Sequence, residues 1–262
     1  MPKRLFFVKK ERETASMAVY HVGNKSQSWY GESIGILILD ASYPCVPGNV
    51  GNASTFDFPV RYKVVKNASI DRLLNQRDPS LIEPFIESAL ELQAEGVKAV
   101  TGACGFMALF QRQVADALDI PVFLSSLLQV PFIYQMLPRG RKIGIISADS
   151  SALTPDHFSN VGVTPDIPLV FGGMENQTEF RQAVLLEKGT LDSDQIQREV
   201  VEVAGQMVQR DPDIGAIVLE CSDLPPYAAA VQAAVSRPVF DFITMIQYVH
   251  SALVRRHFQG FM

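Results

Sequence analysis

The chain has 262 residues, 47% of them hydrophobic and 19% charged, with a formal net charge of −5. That length holds one large domain or two small ones, each with its own core. No stretch concentrates the Lys and Arg that a nucleic-acid backbone needs, and no run reaches the roughly 18 apolar residues of a membrane span, so both partners are excluded.

Residues 1–30 are mixed and polar and read as an extension, with an edge strand expected near MAVYHV. The basic start MPKRLFFVKK resembles the first part of a signal peptide, but ERETAS follows it instead of a long apolar run. The first strong strand is SIGILILD, apolar on both faces as a buried parallel strand is. A loop rich in Pro, Gly and Asn follows, and then the strand VRYKVV. Residues 80–95 carry the i, i+3, i+4 apolar spacing of an amphipathic helix, which Gly96 stops.

Strand and helix now alternate. VKAVTGAC leads to MALFQRQVADAL, IPVFLSS to LLQVPFIYQML, and RKIGIISADSS to a helix near TPDHFSNV. The strand DIPLVFGG precedes helical runs over 177–188 and 193–210. DIGAIVLECS leads to PYAAAVQAAV, and RPVFDF leads to the last helix, TMIQYVHSALVRRHF. This alternation predicts an α/β fold with parallel sheets.

Two of these segments look alike. VKAVTGACGFMA and GAIVLECSDLPP each run from an apolar strand through a cysteine into a helix start, and Cys104 and Cys221 stand 117 residues apart. The simplest architecture is two pseudo-symmetric lobes of Rossmann-like or flavodoxin-like form, with the site in the cleft between them. Residues 31–135 plus 239–262 form the lobe carrying Cys104, and 136–238 form the lobe carrying Cys221. Ligands gather outside the carboxyl ends of parallel strands, so the two thiols face one cleft. A cysteine before a helix N-terminus feels the positive end of the dipole, and its pKa of about 8.5 is expected to fall toward neutrality. One thiolate can then take a proton from a carbon acid while the opposite thiol returns one to the other face. No cofactor is needed for that step. The odd cysteine count and the spacing point to free thiols in a reducing, cytoplasmic compartment. Cys45, with neither strand nor helix start around it, reads as incidental.

SIGILILD, VTGACGF, KIGIISADSS and VLECSDLPPYAAAVQ carry a resemblance to the aspartate/glutamate racemase superfamily, which includes hydantoin racemases, maleate isomerases and arylmalonate decarboxylases. It covers roughly residues 33–250. The resemblance implies a two-lobed fold whose C-terminal helix returns to the first lobe, a homodimer, and cofactor-independent racemisation by two thiols. The expected function is racemisation of a small acidic amino acid, aspartate before glutamate. Hydantoin racemase, or a decarboxylase or isomerase of the same superfamily, is the alternative, and a two-lobed binding protein is the non-enzymatic one. The chain departs from the amino-acid racemases at Cys104-Gly105-Phe106 and Cys221-Ser222-Asp223, where they often have Cys-Asn-Thr and Cys-Thr. Ser222 supplies the hydroxyl of Thr, whereas Gly105 cannot supply the amide of Asn.

The candidate catalytic residues are Cys104, Cys221, Asp40 at the end of the first strand, and Asp223 beside the second thiol. Glu220 reads as an acid paired with a neighbour. Arg61 is the candidate grip for a distal carboxylate, against a surface ion pair. Ser150 and Ser151 stand where the second lobe holds a carboxylate, or simply cap a helix. Ser42 and Asn52 belong to a loop that either closes over the substrate or is a plain connection, and Gly105, Phe106 and Ser222 flank the thiols. The GESIG letters of a hydrolase elbow precede a strand, so they are discarded. The four histidines show no metal-ligand grouping, and no metal is expected.

Overall fold

In the computed structural model the described residues are Val19, His21 and 27–262. The edge strand expected near residues 17–22 falls, but for Val19 and His21, outside them. Eight strands make two parallel sheets. The first holds β1 (Ile34–Ile38), β2 (Val60–Val64), β3 (Ala99–Gly102) and β4 (Val122–Phe123), in the order β2-β1-β3-β4. The second holds β5 (Lys142–Ser147), β6 (Leu169–Gly173), β7 (Ile214–Leu219) and β8 (Val239–Phe240), in the order β6-β5-β7-β8. The order is the same in both, so the third strand of each sheet lies beside its first, and each third strand leads into a cysteine.

The central strands are the apolar runs of the sequence. In β1 every residue from Ile34 to Leu37 is buried, and Ile34 pairs with Val60 on one side and Ala99 on the other. β7 is flanked by β5 and β8 in the same way. Helices cover both faces: α1 (Ile82–Ala94), α2 (Gln111–Ala117), α3 (Val130–Met136), α4 (Pro155–Ser159), α5 (Thr178–Phe180), α6 (Ser193–Arg210), α7 (Ala228–Val235) and α8 (Phe242–Leu253). Asp192 caps α6 by accepting from the Gln195 amide, and Asp241 forms a capping box with Thr244 on α8. Phe242, Met245 and Ile246 of α8 pack with Ile34, Ile36 and Ala99, so the last helix returns to the first sheet.

The largest core cluster runs through both halves. It joins Leu37, Phe85 and Leu124 of the first half to Ile146, Phe180 and Leu219 of the second. Two π-helical turns, Asp71–Asn75 and Arg181–Leu185, occupy equivalent places after β2 and β6. The first has no counterpart in the sequence reading. Among the described residues no helix is long and apolar enough to cross a membrane.

Candidate active site

Each thiol sits just past its strand. Cys104 has extended backbone (φ −164°, ψ 127°) and precedes a 3-10 turn over Gly105–Phe110. The Phe106 and Met107 amides face its sulfur and favour the thiolate. Cys221 follows β7, and its thiol donates to Asp223 Oδ2 at 3.3 Å. The Ser222 hydroxyl donates to the Ala103 carbonyl at 2.7 Å and ties the two cysteine loops together.

Both thiols line one cavity of about 20 Å3, together with Leu39, Tyr43, Ala103, Ser222 and Asp223. That is room for about one water. The two π-helical turns also line it, with Leu74 from one and Val184 and Leu185 from the other. Two wider spaces adjoin it. Leu39, Tyr43 and Ala103 also face a pocket of about 250 Å3 that contains Cys45 and Tyr62. Leu185 also faces a polar cleft of about 500 Å3 with Asp149, Glu175 and Arg181.

Asp223 is the best-connected acid in the cavity. Its carboxylate accepts from Asn49 Nδ2 (2.5 Å), from the Tyr43 hydroxyl (3.3 Å) and from Cys221. Burial raises its pKa, while these three donors oppose the rise. Burial first, and then the Asp223 charge, pushes the Tyr43 phenol well up. The sequence predicted lowered thiol pKa values. The structure shows the opposite direction for both: burial is the largest cause, followed by Glu220 at Cys104 and by Asp223 and Glu220 at Cys221. Short 3-10 turns give too little field to offset lost hydration and neighbouring carboxylates.

Glu220 is fully buried. Ser147 donates to its Oε2 at 2.9 Å, and its Oε1 has no partner. A Cβ on Gly105 would stand 2.0 Å from that Oε1. Gly105 leaves the space that Glu220 fills. Burial lifts the Glu220 pKa to about 8, against the Ser147 and Ala148 hydrogen bonds.

Several expected site residues stand elsewhere. Asp40 is exposed, and it is Leu39 and Tyr43 that face the cavity instead. Arg61 pairs with Glu95 at 2.6 Å and lies over the Trp29 ring, so the surface ion pair is what forms. Ser150 donates to Glu175 and Ser151 to Asp149, and neither lines the cavity. Phe106 is core, packed edge-on against His157. Asn52 caps a short turn and donates to the Cys45 carbonyl. Ser42 is exposed, but its amide donates to Glu187 across the cleft. The loop does cover the site, through Asn49 and through Gly48. Gly48 has φ +99°, and a Cβ there would stand 2.8 Å from the Pro226 Cα. Tyr43, Asn49, Leu185 and Glu220 are site residues that the sequence reading missed.

No family model matches the chain. A dimethylsulfoniopropionate lyase of Durusdinium sp. clade D is 31% identical over 222 residues, spanning 82% of this chain and 73% of that one. The chain belongs to the dimethylsulfoniopropionate lyase family. Dimethylsulfoniopropionate lyases 7 and 3 of Emiliania huxleyi are also 31% identical over 231 residues each, and the chain spans 67% and 60% of their lengths. This lyase family has a racemase-type fold. Unliganded arylmalonate decarboxylase superposes with a TM-score of 0.56 at 14% identity, over 85% of this chain and 92% of that one. An aspartate racemase homologue from Pyrococcus horikoshii gives 0.50 at 15% identity, over 84% of this chain and 99% of its own. The superfamily resemblance therefore holds for the fold, and family membership makes the chain an enzyme. The expected racemase or isomerase activity is overturned, because the relatives that share its sequence carry a lyase name. Racemisation and elimination both begin with removal of a proton from carbon.

Proposed function

We propose that the chain is a lyase that splits dimethylsulfoniopropionate by β-elimination. A thiolate removes a proton from the carbon next to the carboxylate. The carbon–carbon double bond forms as the carbon–sulfur bond breaks, and the bonding pair leaves on sulfur. Dimethyl sulfide, acrylate and one proton result, with no change of oxidation state. The observation that carries this reading is the pair of thiols on one cavity in a chain of this family, with Asp223 placed to accept the Cys221 proton. In this reading Cys221 is the base and Asp223 its orienting acceptor. Its surroundings also suit a sulfonium cation: Asp223 and Tyr43 line the cavity, and among the described residues no lysine or arginine does.

A cavity of about 20 Å3 is too small for this substrate, so Leu185 or Tyr43 must move for it to enter. The test is dimethyl sulfide release, measured by gas chromatography on dimethylsulfoniopropionate with aspartate racemisation as the control. Release by the wild-type chain, lost in Cys221→Ser, is the expected result. Proton exchange on aspartate without dimethyl sulfide would remove the reading.

A further inference from the structure

Glu220 is the buried polar group that this chemistry leaves unused. It is fully buried at the end of β7, next in sequence to Cys221. One carboxyl oxygen has Ser147 and the other has nothing. The unpartnered oxygen is turned toward Gly105, the residue after Cys104, where only a glycine leaves room for it. The side chain thus lies between the two cysteine loops. After burial itself, its charge is the largest influence on Cys104. An isolated buried carboxylate is costly, and an unpartnered oxygen makes it more so.

We propose that Glu220 is a positioning residue that stands behind Cys104 as a neutral carboxylic acid, and that its ionisation holds Cys104 in the thiol form. The inference rests on the two-thiol reading of the site. As the neutral acid, Glu220 places no charge beside the Cys104 sulfur. Once ionised, it sets a negative charge there, and Cys104 keeps its proton. The other titratable groups around it are Cys221 and Asp223 on its own loop, Tyr43 from the loop after β1, Asp149 beyond Ser147, and His157 behind Phe106. His157 is kept neutral near pH 7 by burial, with a pKa of about 4. The Glu220 charge raises the pKa of both thiols. Its burial places this transition at about pH 8.

The test reads the thiol without substrate. Iodoacetamide alkylation of Cys104 is followed by peptide mass spectrometry from about pH 6 to about pH 10 in wild type, Glu220→Gln and Glu220→Asp. One pH unit above its pKa only about a tenth of Glu220 is neutral, so the Gln variant is expected to react about tenfold faster near pH 9. The Asp variant, which keeps the acid, should follow wild type. Superimposable profiles for Gln and wild type would overturn the proposal. If the Gln variant does not fold, wild-type protein labelled with carboxyl-13C glutamate answers the same question by NMR. One glutamate titrating near pH 8 supports the proposal, and all of them titrating below about pH 6 would end it. The lyase reading is judged separately: altered alkylation with no dimethyl sulfide release would keep the Glu220 assignment and discard the substrate. Where dimethyl sulfide is released, turnover should fall above about pH 8 in wild type, because the Glu220 charge also keeps the Cys221 base protonated, and the Gln variant should lack that fall.

Discussion

At Asp223, three donors converge on one carboxyl group, and each of them favours its ionised form against the effect of burial. An Asn there would turn an amide group toward one of these donors and lose an acceptor at the thiol. Asp223→Asn should lower dimethyl sulfide turnover by about 10²–10³-fold, within the usual scale for a positioned proton acceptor. Unchanged turnover would reduce Asp223 to a structural anchor for the loop. Gly105 poses the complementary case. A methyl there meets Glu220 Oε1 at 2.0 Å and the Glu220 carbonyl at 2.4 Å, and the carbonyl cannot rotate away. Gly105→Ala is expected to cost about 1–3 kcal/mol of unfolding free energy, as overpacking of a tight core does, and urea denaturation measures it. The double variant Gly105→Ala, Glu220→Ala should recover only the part due to the side chain.

The elements around the site show what a sequence can and cannot announce. The strands and the thiols were legible because buried parallel strands are apolar throughout and end in a repeated strand–cysteine–helix pattern. Tyr43 and Asn49 were not, because they lie in a Pro- and Gly-rich loop without periodicity, and only the tertiary fold brings that loop to Asp223. Glu220 was read as a paired strand-end acid, since sequence shows the residue but not that one oxygen lacks a partner. The π-helical turn Asp71–Asn75 escaped for a different reason, because it follows neither the 3.6 nor the 2.0 period, whereas Arg181–Leu185 lies within the helical run expected over 177–188. Arg181–Leu185 is the more consequential of the two. It places Leu185 between the thiol cavity and the outer polar cleft, and it ends near Glu187, a non-glycine residue at φ +50° whose carboxylate accepts from the Ser42 amide. That contact latches the turn over the site. Glu187→Ala should free it and raise the rate of Cys104 alkylation at neutral pH by roughly two- to fivefold, the scale of one exposed charged hydrogen bond. An unchanged rate would mean that entry runs past Tyr43 instead.

For the molecule as a whole, the two sheets repeat one strand order yet do not bury separate interiors. Leu37, Phe85 and Leu124 belong to the same buried cluster as Ile146, Phe180 and Leu219. Polar ties add to it around the site: Ser222 to the Ala103 carbonyl, Ser126 to the Leu219 carbonyl at 3.1 Å, and Arg77 to the Ala152 carbonyl at 3.2 Å. Halves that share a core lose it together, whereas halves joined only by a polar interface come apart in steps. Chemical denaturation should therefore give a single transition, coincident by far-ultraviolet circular dichroism and by the fluorescence of Trp29 on the first half. Ser222→Ala should shift that transition by about 1–3 kcal/mol, because the buried Ala103 carbonyl loses its side-chain donor, without splitting it. Separate transitions in the wild-type chain would show that the halves are independent. The cavity would then be an interface whose two thiols are held by docking, and turnover in Ser222→Ala would fall far more than stability.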